Sequence, residues 1–268
     1  MSARLWQRIR NRIRRSIYRP HVDLERIRPL VRMGSAYGSW SFLDHPGLVH
    51  ATIVSAGLGE DASFDVEFAT KYQGKVLIID PTPRAVTHFN ALMTRMGRAA
   101  EQPYRTDGAL AVESYDLSKL SPANFALVEK ALWKEETTVQ FFQPPNPHHV
   151  SYSITNFQNS YAQDTPHIEV AAVTVKNLLA AHGLSQLELI KLDIEGAATE
   201  VLYSMFRDNI LPNQILVEFD ELSIPSMASR ETFRVCDAVL RQNGYHCFYW
   251  NGRADFAYAH ERLLKQLA

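Results

Sequence analysis

The chain predicts an α/β fold, a mostly parallel sheet that closes with an antiparallel hairpin, and three observations carry that prediction. Ala51 to Pro83 reads as a β-α-β unit: an apolar run at Ile53-Val54, a glycine turn at Ser55-Ala56-Gly57-Leu58-Gly59-Glu60-Asp61, a helical stretch, and a second apolar run, Val76 to Ile79, that ends on Asp80. Apolar runs of strand length then alternate with helical periodicity as far as Gln242. Finally, Tyr245 to Trp250 and Arg253 to Ala259 flank Asn251-Gly252, a strong hairpin signal because both residues tolerate the positive φ of a tight turn.

Length and composition set the frame. A chain of 268 residues buries a full core as one domain, placed at 51–268 and preceded by a basic lead-in at 1–50. Hydrophobic residues are 46% and charged residues 21%, and no run approaches the ~18 apolar residues a membrane-spanning helix needs. The two cysteines, Cys236 and Cys247, sit inside apolar patterns without metal-ligand spacing, which fits small core residues in a reducing, cytoplasmic compartment. Residues 1–20 hold seven arginines and no acid, so the rest carries 21 basic against 29 acidic residues, a balance that argues against a nucleic-acid partner for the main body.

In that basic start, Leu5, Ile9, Ile13 and Ile17 recur every four residues with arginines around them, the pattern of an amphipathic helix. Three arrangements suit it: peripheral contact with an anionic membrane surface, a transit peptide, or a terminal helix packed on the domain. A short helix is expected near Asp23 to Arg32, then a loop punctuated by Gly34, Gly38, Pro46 and Gly47.

The helix after the glycine turn starts at Asp61 or Ala62 and buries Phe64, Phe68 and Tyr72, with Asp61 able to cap it. A second helix covers Arg84 to Met96 and stops at Gly97. Phe125 to Trp133 reads as the third core strand and its exit, and Thr137 to Phe142 as a short extra strand. Gln143 to Ser160 is a long proline- and asparagine-rich loop whose aromatic and histidine content suits a ligand cover. Thr174 caps a helix to His182, Leu187 to Leu192 is a strand closing on Asp193-Ile194-Glu195-Gly196, and a helix burying Val201, Leu202 and Met205 follows. Ile215 to Phe219 and a helix over about Ser229 to Gln242 complete the alternation.

Ligands in such sheets sit beyond the carboxyl ends of the strands. That rule selects Ser55, Gly57, Gly59, Glu60 and Asp61 at the turn, Asp80-Pro81 after the second strand, Glu129 and Ala131 after the third, and Asp193, Glu195 and Glu218 to Glu221 farther on. Asp80 suits a ribose diol, Glu129 and Ala131 the flanks of an adenine. Gly57 to Ala62 also satisfies the dinucleotide fingerprint, which keeps a nicotinamide-dependent oxidoreductase open. The carboxylates of Glu60 and Asp61 at a helix N-terminus oppose a pyrophosphate and favour a cationic cofactor. Lys191 shares a strand face with Asp193 and needs such a partner in a central strand. No metal site is expected, although Asp193, Glu218 and Asp220 are oxygen ligands in principle.

The glycine turn, Asp80-Pro81-Thr82-Pro83 and Lys191-Leu192-Asp193-Ile194-Glu195-Gly196-Ala197 together resemble the FkbM-type S-adenosylmethionine-dependent methyltransferases, whose usual forms are D-x-G-A-N-x-G, an acid before proline, and K-x-D-x-E-G-a-E. The resemblance spans Ile53 to Phe219. It implies a class I methyltransferase, Rossmann-like sheet, S-adenosyl-L-methionine as cofactor, and O-methylation of a hydroxyl on a small molecule or glycan. Asp193, Glu195 and the loop residue His149 are then the candidates for orienting or deprotonating the acceptor. Ser55 departs from the leading acid of the family pattern, and Glu60 or Asp61 is the expected replacement. A non-catalytic cofactor-binding module of the same fold remains the other class.

Overall fold

The computed structural model describes residues 17–106, 108–146 and 151–267. The expected helix near Asp23 to Arg32 does not form. The chain there runs extended, because Glu25 N–H donates to the Cys247 carbonyl at 2.9 Å and Pro29 disfavours helical backbone before it. It then makes a hairpin of β1 (Leu30–Met33) and β2 (Trp40–Leu43).

After this come β3 (Thr52–Ala56), α1 (Ser63–Tyr72), β4 (Lys75–Ile79), α2 (Pro83–Met93), β5 (Phe125–Val128), β6 (Ala131–Leu132), β7 (Thr138–Phe142) and β8 (His167–Val173). The chain continues through α3 (Val175–Ala181), β9 (Leu189–Leu192), α4 (Ala198–Arg207), β10 (Gln214–Glu218), α5 (Met227–Gln242), β11 (Tyr245–Trp250), β12 (Asp255–His260) and α6 (Glu261–Leu267). The main sheet has the order β11-β12-β10-β9-β3-β4-β5, parallel from β10 to β5, with β12 antiparallel to both its neighbours. From β3 the chain first builds toward β4 and later returns on the other side as β9. The β3/β9 boundary is therefore the switch point at which such sheets open a ligand crevice.

Alternation along the central strands divides the core. Ile53, Val76 and Ile78 face α1 and the hairpin, with Phe64, Phe68, Phe42 and Leu43. Val54, Leu77 and Ile79 face the other layer, with Leu178, Val201, Met205, Phe233 and Cys236. Both cysteines are free and buried, and burial pushes both thiols up to about 12. Thr174 caps α3 by accepting from Asn177 N–H at 3.1 Å.

Packing is continuous across residue 50. Gln214, fully buried on β10, accepts from Leu43 N–H at 2.7 Å and donates to the Leu43 carbonyl at 2.9 Å, clamping the lead-in hairpin onto the sheet. Gln214→Leu would orphan both backbone groups of Leu43, at about 1–3 kcal/mol for each buried polar group left unsatisfied. Urea denaturation is expected to show a loss of that order, and an unchanged midpoint would refute the clamp.

Phe125 to Trp133 divides into the strand β5 and an exit that forms β6. Lys130 N–H turns back to the Val128 carbonyl at 2.8 Å, and the chain leaves the main sheet at exposed Glu129-Lys130. It re-enters as β6 in a separate small sheet of order β6-β8-β7. The described part of the long loop is pinned onto this sheet through the Phe142–Ser153 bridge. Asn156 holds it further by donating to the Ala162 carbonyl at 2.7 Å and Thr165 Oγ1 at 2.9 Å.

Candidate active site

A cavity of about 1360 Å³ opens along the carboxyl ends of β3, β4, β9 and β10. Its walls come from three insertions that sequence periodicity does not join: Ala36 to Trp40 of the β1–β2 hairpin, Ser151, Tyr152 and Ile154 of the long loop, and Tyr249 to Asp255 of the β11–β12 hairpin.

The floor is the glycine turn. Gly57 has φ +88°, and a Cβ there would lie 1.8 Å from the Asp193 carbonyl oxygen. The two strand ends are drawn together by Asp193 N–H donating to the Ala56 carbonyl at 3.0 Å, while Gly57 N–H donates to Ile79 at 3.0 Å. Lys191, 4% exposed, donates to the Gly57 carbonyl at 2.6 Å and lies 3.4 Å from Asp193 Oδ2, the pairing the strand alternation predicts. The Lys191 ammonium also lies 5.5 Å from the Trp40 ring centre.

Asp80 lines the cavity where the sequence places it, yet its oxygens are in use. Oδ2 accepts from Leu58 N–H at 2.9 Å and Gly59 N–H at 3.0 Å, and Oδ1 accepts from Thr82 N–H at 2.9 Å and Thr82 Oγ1 at 2.7 Å. A carboxylate offers about four acceptor positions. In this geometry Asp80 shapes the turn instead of offering a free oxygen to a diol.

The acidic pair is likewise committed. Glu60 makes a two-pronged ion pair with Arg84 at 3.0 and 2.6 Å. Asp61 accepts from Ser35 Oγ at 2.6 Å and from Ser63 N–H at 2.9 Å, but it is not the cap of α1, which begins after Ala62 without a side-chain cap. These two carboxylates therefore give less support to a cationic cofactor than their charge in the sequence suggests. Gly57, Gly59, Pro81 and Ala131 line the cavity, as expected, and Leu132 joins them. Ser55 is buried behind the wall. Glu129 is a correction: the turn that ends β5 leaves it exposed and outside the cavity lining. His149 lies outside the described residues.

Asp193 and Glu195 both face the cavity. Glu195 has φ +46°, its carbonyl accepts from Ser153 Oγ at 2.6 Å, and its Oε2 accepts from Gln158 Nε2 at 3.0 Å. It does not cap α4. Gly196 N–H at that turn is taken by Asp220 Oδ2 at 2.6 Å. Glu218 and Asp255 complete an acidic wall with Asp193 and Glu195, and buried Asp220 stands next to it. Asp255 escapes sequence reading because it sits in the hairpin, far from any parallel strand end.

Burial raises Glu195, Glu218 and Asp220 above ordinary carboxyl values. Neighbouring Asp193 adds to the shift in all three, and the Asp220 and Glu195 charges add to it at Glu218 and Asp220 respectively. Burial, then Asp193, carries Asp255 to about 6. Tyr37, on the hairpin, is raised by burial and by Asp193, Glu195 and Glu218. Glu218 is raised to about 11 and so holds its proton at neutral pH. A carboxyl raised by folding binds a proton that the unfolded chain has released, so its contribution to stability falls as pH rises above the unfolded value of about 4.5. Glu218→Gln is expected to stabilise the protein increasingly from pH 5 to pH 8 relative to wild type, read as melting temperature. A difference independent of pH would contradict the shared-proton wall. Among the described residues no acid or histidine group has the geometry of a metal site.

The strand order with β12 inserted antiparallel between β10 and β11, and the glycine turn at the β3/β9 switch point, define a class I methyltransferase fold. The family model described as the methyltransferase FkbM domain matches residues 54–247, and the chain belongs to that methyltransferase family. Among solved structures, Methanococcus jannaschii fibrillarin, a pre-rRNA processing protein, aligns at 12% identity over 81% of this chain and 70% of its own, with a TM-score of 0.41. No curated protein matches. No described helix is long and apolar enough to cross a membrane.

Proposed function

We propose that the protein is an S-adenosylmethionine-dependent O-methyltransferase acting on a hydroxyl of a small molecule or glycan. The observation that carries this reading is the contact between the glycine turn and the Asp193 backbone, which sets Asp193 on the cavity wall beside the residues that would cradle the cofactor. The donor set fits such a group. Leu58, Ala131 and Leu132 offer an apolar flank beside the glycine turn. S-adenosylmethionine would supply an electrophilic methyl group on a sulfonium.

The chain's own residues do the rest. Lys191 fixes the Asp193 carboxylate, which accepts the proton of the acceptor hydroxyl as the oxygen becomes nucleophilic. Glu218, held protonated by burial and by the Asp193 charge, donates to another oxygen of the acceptor, Glu195 lines the same wall, and Tyr37 and Tyr152 line the cavity where a ring would lie. Orientation by these walls is the main service an in-line displacement needs. Incubating the protein with methyl-labelled cofactor and extracts fractionated by polarity tests the reading. Label is expected in alkali-stable methyl ethers, and label confined to amines or carboxyl esters would overturn the O-ether assignment. Contact of residues 1–20 with an anionic membrane surface is part of the proposal on the strength of their arginine stripe, and residues 1–16 lie outside the described residues.

A further inference from the structure

The cavity carries charge of both signs. Asp193, Glu195 and Glu218, all half-buried, line it at the ends of β9 and β10, where Lys191 is committed to Gly57 and Asp193. Arg19, Arg32 and Arg253 line the same cavity and are exposed. Arg84 and Arg241 pair with Glu60 and Asp237, but among the described residues none of the three cavity arginines forms an ion pair. Arg253 stands close enough to Asp255 to lower its carboxyl without pairing with it.

Two of the arginines meet in one corner. Asp255 opposes Glu218 in the antiparallel register, so Arg253, two residues earlier, lies on the turn that overhangs the end of β10. The Trp250 indole N–H donates to the Arg253 carbonyl at 3.0 Å and ties that turn down. The Trp250 ring is itself stacked on Phe256, with centres 5.6 Å apart and planes 13° from parallel. Over the Trp250 ring, 4.9 Å from its centre, lies the Arg19 guanidinium. A guanidinium held on an aromatic face is positioned without using its N–H donors, which stay open to an anion.

We propose that the methyl acceptor is a phosphate ester whose phosphate is held by Arg19 and Arg253 beside Trp250, while its hydroxyl lies against Asp193. The inference rests on the methyltransferase reading above and narrows its acceptor. Two guanidiniums offset the nearly two negative charges of a phosphate monoester and match its oxygens with paired N–H donors, whereas a carboxylate carries a single charge. The acids at the strand ends repel the same group. The field of the cavity therefore sets one orientation, with the hydroxyl inward and the phosphate outward.

The test titrates the full chain, saturated with S-adenosylhomocysteine, with glucose 1-phosphate and with methyl glucoside, by calorimetry at matched ionic strength. The wild-type protein is expected to prefer the phosphorylated probe by at least about tenfold. Arg19→Gln combined with Arg253→Gln is expected to weaken glucose 1-phosphate by about 10- to 100-fold, the range of charge-assisted hydrogen bonds, and to leave methyl glucoside unchanged. Both side chains are exposed, and binding of S-adenosylhomocysteine by the double variant reports an intact fold. No preference for the phosphate, or a preference that survives the double substitution, overturns the inference. Parallel loss of S-adenosylhomocysteine affinity also overturns it, because the arginines would then hold the cofactor.

The source of the phosphate is read by competition. Displacement of glucose 1-phosphate by phosphatidylinositol vesicles, and not by phosphatidylcholine vesicles, assigns a lipid headgroup, and persistence of binding assigns a free phosphate ester. A wild-type chain that does not bind S-adenosylhomocysteine refutes the methyltransferase reading itself, and this inference with it. A chain that binds it and ignores the phosphate refutes this inference alone.

Discussion

Gly57→Ala is expected to abolish binding of S-adenosylhomocysteine and to lower stability by roughly 2–5 kcal/mol, combining the cost of a side chain at positive φ with that of overpacking. The clash is with backbone. A methyl at this position lies 1.8 Å from the Asp193 carbonyl oxygen, and that oxygen cannot rotate away as a side chain would. Relief requires the β3 and β9 ends to part, which breaks the Asp193-to-Ala56 hydrogen bond and the Lys191-to-Gly57 bond together. Urea unfolding and calorimetry check both effects. A Gly57→Ala protein with wild-type stability and affinity would show that the strand ends are not locked.

Asp193→Asn is expected to lower turnover by about 10²- to 10⁴-fold, the usual worth of a positioned base, with little change in cofactor affinity. The substitution keeps the shape and removes the proton-accepting charge. It also removes the largest charge contribution to the raised Glu218 and Asp255 carboxyls, so both should titrate lower in the variant, which carbon NMR of the carboxyls reads directly. Loss of cofactor affinity in parallel with turnover would place Asp193 in cofactor binding instead of acceptor activation.

Much of the scaffold was legible because it depends on local pattern. The apolar runs, the Gly57 turn and Asn251-Gly252 encode their own geometry through period, positive φ and strand alternation. The lead-in hairpin was not legible. Leu43 is held by Gln214, 171 residues away, and such a contact leaves no trace in periodicity. The exit of the third strand was not legible as a strand of its own, because Ala131 and Leu132 pair with Ala172 and Val173, far along the chain.

The site was partly readable for the same reason. Strand-end position correctly gathered Gly57, Asp80, Asp193 and Glu195 around one cavity, but it does not show which acids already have donors. Asp61, Glu60 and Asp80 carry the charge that sequence reading noticed and spend it on protein partners.

The crevice at the β3/β9 switch point is proposed to take a sulfonium nucleoside and not a dinucleotide. Thermal unfolding with S-adenosylhomocysteine and, separately, with NAD tests it most directly. At about 100 times its dissociation constant a ligand stabilises by about 2.7 kcal/mol, which raises the melting temperature of a chain of this size by roughly 5–10 °C. The account predicts that rise with S-adenosylhomocysteine and none with NAD, and a rise with NAD alone would contradict it.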